Sequence, residues 1–405
     1  MQRKNKIKGN GWRLLPVSLF FLFTACRGDI QDYTAQQFNV DNSSVKLFSL
    51  EPLLAQCRFV KLGDVNDVSS TLSDHIYRFY YYNHKYWIFY RYSGSRSEPS
   101  IKVFDDQGSL EKIIPLMQGG PSDFKALADF WTDWKNMELL DVWDQSIWAS
   151  NYPNEKFVRK AHGSFFSRFY KISNNIYVFD NTNSPSEFIG NNNLALFDIA
   201  NKKLIDQALP IKPYLKDIGI GGQRFSYDNK TSEVFYLPPV GTDIYRISTD
   251  SIKVALQIEY TRGAFREAGE AGLTTERFLA LRRGQKFITT HDAFLSSGDF
   301  GIAQYRFDGS FYWTLLDRKT GKAICIKPNF PFATEFFITY RPVFVNEDNE
   351  IAFLTYPFEL LNYYQENPEI KGRFPKLENL IKTLQPEDNP VVMWVPLKIL
   401  EHLLE

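Results

Sequence analysis

The chain has 405 residues, 44% of them hydrophobic, and its 47 basic side chains are balanced by 47 acidic ones. That balance excludes the global field that draws proteins to nucleic acid or to an acidic membrane surface, so no nucleic-acid partner is expected. The apolar content suffices for a large core, in one large all-β domain or in two domains, and 16% aromatic residues favour strands, where rings pack on a pleated surface.

At the N-terminus, Arg3, Lys4, Lys6, Lys8 and Arg13 precede an apolar run, Leu14 to Phe23. The run is too short to span a bilayer comfortably and reads as an export signal over residues 1–25. Phe23-Thr24-Ala25-Cys26 resembles the lipobox of bacterial lipoproteins, in which small residues precede a Cys that is acylated and becomes the mature N-terminus. Several acyl chains on Cys26 would hold the protein on a lipid bilayer; the plainer alternative is an ordinary signal peptide with a stray Cys. Residues 26–50 are mostly polar and read as a tether. Cys57 and Cys325 lie in separate strand-like segments and are expected as buried apolar residues rather than as a disulfide.

A strand, a polar turn and a second strand make up IKVFDDQGSLEKIIPL (101–116), and the unit returns at 146–160, 194–209, 243–258 and 311–326. Taking Phe104, Trp148, Phe197, Ile247 and Leu316 as equivalent positions, the spacings are 44, 49, 50 and 69 residues, close to the period of four-stranded propeller blades. A pair of strand-like runs precedes each hairpin, as in 76–82 with 85–91. The long spacing contains a helical insertion, 264–285, with Thr275 as its N-cap and Gly284 as its stop.

A sixth unit starts at 341–356 and is interrupted by a second helical insertion, 358–385. There Leu377, Leu380, Ile381 and Leu384 fall at helical spacing behind Pro375. The unit resumes at 391–397 one strand short, and the early run RFVKLG (58–63) could supply the missing strand and close the ring. The expected fold is therefore an all-β, six-bladed β-propeller of four-stranded antiparallel blades, a single domain over residues 51–405.

The lipobox at Cys26, the early strand RFVKLG, the loop Gly120-Pro121-Ser122-Asp123-Phe124 and the Asp388-Asn389-Pro390 turn together resemble the six-bladed β-propeller lipoproteins of polysaccharide-degrading Gram-negative bacteria, relatives of NHL-type propellers. Ser122 and Asp123 stand where that family tends to have Gly and Glu. The resemblance implies this fold and an envelope location, on the outer membrane, without implying one activity.

For chemistry, the five His (75, 84, 162, 291 and 402) are scattered and no HExxH or CxxC occurs, so no metal site or cofactor is expected. Propeller glycosidases and lyases set carboxylates around the central channel, and Asp129, Asp133 and Asp292 lie on candidate inner strands, the first two sharing strand parity. Rings that stack on sugars are the stronger lead. Trp131 and Trp134, beside the Gly120-Pro121-Asp123 loop, are the candidate ligand-binding residues, although most aromatics in such a fold serve packing. Two functions follow: a membrane-anchored, non-catalytic platform for a glycan or an envelope protein, or a polysaccharide hydrolase or lyase.

Overall fold

No single group of these strands can bury its apolar faces alone, and the chain solves the problem by stacking them around a ring. The computed structural model describes residues 34–405 apart from 44, 50, 65–66, 68, 73–75, 91–99, 117–123, 125–126, 155, 164–167, 187–189, 220–222, 266–271 and 329–340. An N-terminal arm carries β1 (Gln36–Val40), β2 (Lys46–Phe48), helix α1 (Glu51–Gln56) and β3 (Arg58–Lys61). Blade 1 is β4 (Ile76–Tyr82), β5 (Lys85–Tyr90), β6 (Ser100–Asp105) and β7 (Leu110–Pro115). Blade 2 is β8 (Leu127–Thr132), β9 (Asn136–Asp141), β10 (Ser146–Asn151) and β11 (Val158–His162). Blade 3 is β12 (Arg168–Lys171), β13 (Ile176–Asp180), β14 (Asn192–Asp198) and β15 (Lys203–Pro210). Blade 4 is β16 (Phe225–Asp228), β17 (Glu233–Tyr236), β18 (Ile244–Ile247) and β19 (Ile252–Tyr260). After α2 (Thr275–Arg283), blade 5 is β20 (His291–Ser297), β21 (Phe300–Phe307), β22 (Ser310–Asp317) and β23 (Lys322–Pro328). Blade 6 is β24 (Arg341–Val345), β25 (Glu350–Thr355), β26 (Val391–Pro396) and β3, with α3 (Pro357–Glu366) and α4 (Pro375–Ile381) between β25 and β26 and α5 (Leu397–Glu401) at the end.

The chain is thus a six-bladed β-propeller. Phe104, Trp148, Phe197, Ile247 and Leu316 all lie on third strands, so the repeat read from the sequence is the blade itself. The early run closes the ring as expected: β3 pairs antiparallel with β26, Lys61 opposite Val391 and Arg58 opposite Trp394. Asn389 fastens this closure. Its amide donates to the carbonyls of Leu62 (2.7 Å) and Ser70 (2.9 Å), and its oxygen accepts from Leu72 N–H (2.6 Å). Across the blade 6 to blade 1 interface the buried Trp394 Nε1 donates to Tyr86 OH at 2.8 Å, and Arg58 lies over the indole at 5.6 Å. Gly108 ends the polar turn of the first hairpin with φ +87°, and a Cβ there would collide with the Lys61 carbonyl oxygen. Only glycine fits that conformation and that approach.

The expected tether is too long. The compact unit begins at Ala35, not at residue 51. β1 adds to β19 and β2 to β23, both in parallel, as fifth strands on blades 4 and 5. Phe38 and Val40 are fully buried among Leu256, Ile258 and Tyr305. Alternation with polar residues made QQFNV look like a tether, but alternation is what a half-buried strand requires. The arm therefore covers the outer edges of blades 4, 5 and 6 in succession before the first blade starts.

Both helical insertions contain their helices. The N-cap of α2 is Thr274 rather than Thr275, with its side chain accepting from Arg277 N–H, while Gly284 is the C-cap as expected. The apolar stripe of α4 packs on the core that holds Leu53, Leu54, Met393 and Val395. Cys57 and Cys325 are free, buried thiols, pushed up to about 12 and about 11 chiefly by desolvation.

Candidate functional site

Each blade is left by its outer strand and the next is entered at its inner strand, so β4, β8, β12, β16, β20 and β24 run the same way along the central channel. Their first residues consequently gather at one mouth. There each blade presents one charged side chain: Arg78, Asp129, Arg168, Arg224 (just ahead of β16), Asp292 and Arg341. In β4, β8, β20 and β24 the register slips at these positions, between Ile76 and Arg78, Leu127 and Asp129, His291 and Ala293, and Pro342 and Phe344. Such bulges re-aim side chains at the rims of closed sheets.

The charges act on one another across the channel. Desolvation is the largest influence on Arg341 and holds its guanidinium below its ordinary value, with Tyr356 and Asp292 opposing and Arg78 and Arg168 adding to the depression. Arg168 belongs to blade 3 and Arg341 to blade 6, which face each other across the axis. Arg224 is lowered to about 10, again mainly by desolvation, with Arg168 and Arg282 contributing and Tyr236 and Asp180 opposing. Its Nη1 donates to Pro238 O at 3.0 Å and Thr290 Oγ1 at 3.4 Å. Arg282, on α2, is likewise lowered by burial, with Asp292 opposing and Arg306 contributing.

Below the mouth the inner strands carry aromatic rings. Tyr80 and Tyr82 follow Arg78 on one face of β4, about 13 Å separating the first and last of the three. The Tyr82 phenol is pushed well above 10, first by burial and then by Tyr170 of blade 3, Tyr80, and Tyr227 of blade 4. Phe344 meets Tyr82 edge-on at 5.3 Å. Gln223 Nε2 donates across the axis to Val343 O at 3.3 Å, and Asn229 Nδ2 to Val345 O at 2.8 Å. The mouth is therefore ringed by charged side chains, mostly cationic, with tyrosines further along the inner strands.

The expected carboxylate pair is not formed. Asp129 is on the inner strand but 1% exposed, and Arg78 donates to it through Nε and Nη2, both at 2.6 Å. Its Oδ2 also accepts from Phe169 N–H (2.9 Å), so Asp129 ties blades 1, 2 and 3 together. Asp133 lies past the end of β8, in the turn, where it accepts from Lys135 N–H and Asn136 N–H. Strand parity therefore does not hold between the two. Asp292 reaches the mouth and is paired to Arg306 at 3.3 Å.

Trp131 is 8% exposed, its ring edge-on to Tyr170 at 6.4 Å and under Lys171 Nζ at 4.6 Å, so it packs between blades instead of binding. Trp134 is 37% exposed, in the β8–β9 turn at the far end of the strand from the mouth. Gly120, Pro121 and Asp123 lie outside the described residues, as does Cys26. Sequence reasoning missed the arginines. The signal was present: a charge near the start of every inner-strand run, from IYR (76–78) to RPV (341–343).

Residues 36–396 match a domain of unknown function, DUF4934. The chain belongs to this family. No curated protein matches the DUF4934 chain. Among solved structures it is similar to an exported protein of Bacteroides fragilis, with 15% identity, a TM-score of 0.68, and coverage of 89% of this chain and 99% of the other. It also matches a DUF4221 member of Bacteroides vulgatus at 12% identity and a TM-score of 0.44, covering 84% and 96%. At such identities the first likeness concerns the DUF4934 fold alone.

Proposed function

We propose that this DUF4934 protein is a lipid-anchored propeller of the Gram-negative outer membrane that binds a glycan or an envelope partner at the mouth of its channel and performs no chemistry on it. The observation that carries the reading is the state of the mouth carboxylates. Asp129 is saturated by Arg78 and by backbone N–H groups, and Asp292 is paired with Arg306, so neither is placed as a free proton donor or acceptor beside an open space. The anchored location is supported by the positive n-region, the apolar run and the lipobox at Cys26, and by the name of the Bacteroides fragilis neighbour. Two measurements test it. Labelled palmitate should enter the wild-type protein and not Cys26→Ser. On a panel of oligosaccharides the protein should bind without turnover; cleavage that disappears in Asp129→Asn or Asp292→Asn would sink the non-catalytic reading.

A further inference from the structure

We propose that Trp143 is a stacking platform for a neutral pyranose unit of an oligosaccharide, with Asp144, Arg159 and His162 as the polar groups that meet its hydroxyls. The inference rests on the ligand-binding reading above and names the saccharide contact. Leu127, Asp141, Ser146 and His162 stand in register across the four strands of blade 2. The β9–β10 turn therefore lies beyond the start of β8, on the mouth side of the ring, about 5–10 Å outward from the inner strand. Asp141, 1% exposed, fixes this turn: its Oδ1 accepts from Trp143 N–H at 2.9 Å and from Asp144 N–H at 3.1 Å. Gln145 closes the turn with φ +50°, its carbonyl accepting from Gly163 N–H at 2.9 Å. The indole stands out from this hydrogen-bonded base 73% exposed, and among the described residues no ring or cation packs on it.

Turn chemistry alone does not call for tryptophan at this position. The same aspartate-capped turn recurs on the opposite face of the ring, where Asp105, Asp133, Asp198, Asp228 and Asp317 each accept from the N–H two residues on. That residue is Gln107, Lys135, Ala200, Lys230 or Lys319, polar or small as a solvated turn prefers. Trp143 holds the equivalent place at the mouth and is the most exposed large apolar side chain among the described residues, whereas Trp87, Trp313 and Trp394 are fully buried. The polar fringe is joined to the same turn. Arg159 Nη2 donates to Asp144 Oδ2 at 2.8 Å, and His162 Nδ1 lies 3.1 Å from Ser146 Oγ, which is itself 3.0 Å from the Asp144 carbonyl oxygen. Arg159 and Asp144 balance each other's charge, with 49% and 25% of their side chains still open to solvent. A flat apolar plate rimmed by balanced charges suits a neutral sugar. The axial C–H face of a β-linked glucosyl or galactosyl unit packs on the indole, and its equatorial hydroxyls reach the donors and acceptors at the rim.

Calorimetry on the full chain in neutral detergent tests the platform with cello-, laminari- and β-galacto-oligosaccharides, and with chondroitin sulfate oligosaccharides as the acidic control. At least one neutral probe should bind saturably, with an affinity that high salt leaves unchanged, and about tenfold more weakly to Trp143→Ala. Trp143→Phe keeps a ring and should fall between, and Arg159→Gln should weaken binding by a smaller factor. The exposed position of Trp143 predicts wild-type urea midpoints for its variants, so lost binding is not lost fold. Bound sugar should also shield the most accessible part of the tryptophan emission from iodide in the wild type, and should not do so in Trp143→Ala. Absence of binding by every neutral probe overturns the platform. Affinity unchanged in Trp143→Ala overturns it too while leaving a ligand-binding propeller that uses another part of the mouth. Binding of the acidic probe alone would overturn the neutral ligand class, and an envelope protein lost from Trp143→Ala pull-downs, with no sugar bound, would assign the indole to a protein contact instead. Turnover of a sugar whose binding Trp143→Ala weakens would end the non-catalytic reading and leave the platform standing.

Discussion

Arg78 and Asp129 meet through two short hydrogen bonds in a place where neither charge has bulk water to fall back on. Removing one partner strands the other, so Asp129→Ala is expected to cost about 3–5 kcal/mol in urea unfolding. A catalytic carboxylate would typically be dispensable for stability, and a loss under about 1 kcal/mol would contradict the structural role. His291 is another buried titratable group at this level. Its Nε2 lies 2.8 Å from Tyr260 OH, and burial lowers its pKa from 6.5 to about 3. The folded state therefore keeps His291 neutral while the unfolded chain takes up a proton, so stability falls as pH drops from 6.5 towards 3. The loss should reach roughly 3 kcal/mol at most by pH 4.5, and His291→Gln should flatten that part of the urea midpoint against pH. An identical pH profile in the variant would contradict the assignment.

At the scale of elements, closure depends on small polar details that the sequence announces only as a turn. Asn389 satisfies two carbonyls and one N–H of the segment that follows β3, and Asn389→Ala leaves all three without that partner. Roughly 3 kcal/mol of stability should be lost, with strand exchange at β3 protected least in hydrogen-exchange measurements. The arm makes a second prediction. Deleting residues 36–48 uncovers the outer edges of β19 and β23, and unpaired edges recruit other chains. The truncated protein should associate in size-exclusion chromatography, and a stable monomer would show that the arm is a passive tether after all. The blade hairpins were legible because turn residues and alternating apolar residues punctuate them, as in Asp105 to Gly108. The arm was not, because Phe38 and Val40 are its main apolar anchors and their partners lie more than two hundred residues downstream.

For the whole molecule, the ring was readable from the period of its third strands and from the strand missing in the sixth unit. The charged mouth was not readable as a unit, because it exists only where six chain entries converge. Asp129, Asp133 and Asp292 read as acids on inner strands, yet the two that reach the mouth are defined by the arginines opposite them, and Asp133 lies in the turn beyond β8. One aromatic lead has a packing role instead: Trp131 fills an inter-blade gap, and large side chains are what blades use to fill such gaps. The charged mouth is thus the feature that requires the complete ring, and it is where the proposed binding is placed. The most direct measurement is a crystal structure of the protein with an oligosaccharide that calorimetry shows to bind. The account predicts density for the oligosaccharide at the mouth of the channel, beside the charged side chains at the starts of the inner strands. Density confined to the other face of the ring, for example in the depression lined by Lys230, Asp348 and Lys398, would contradict it.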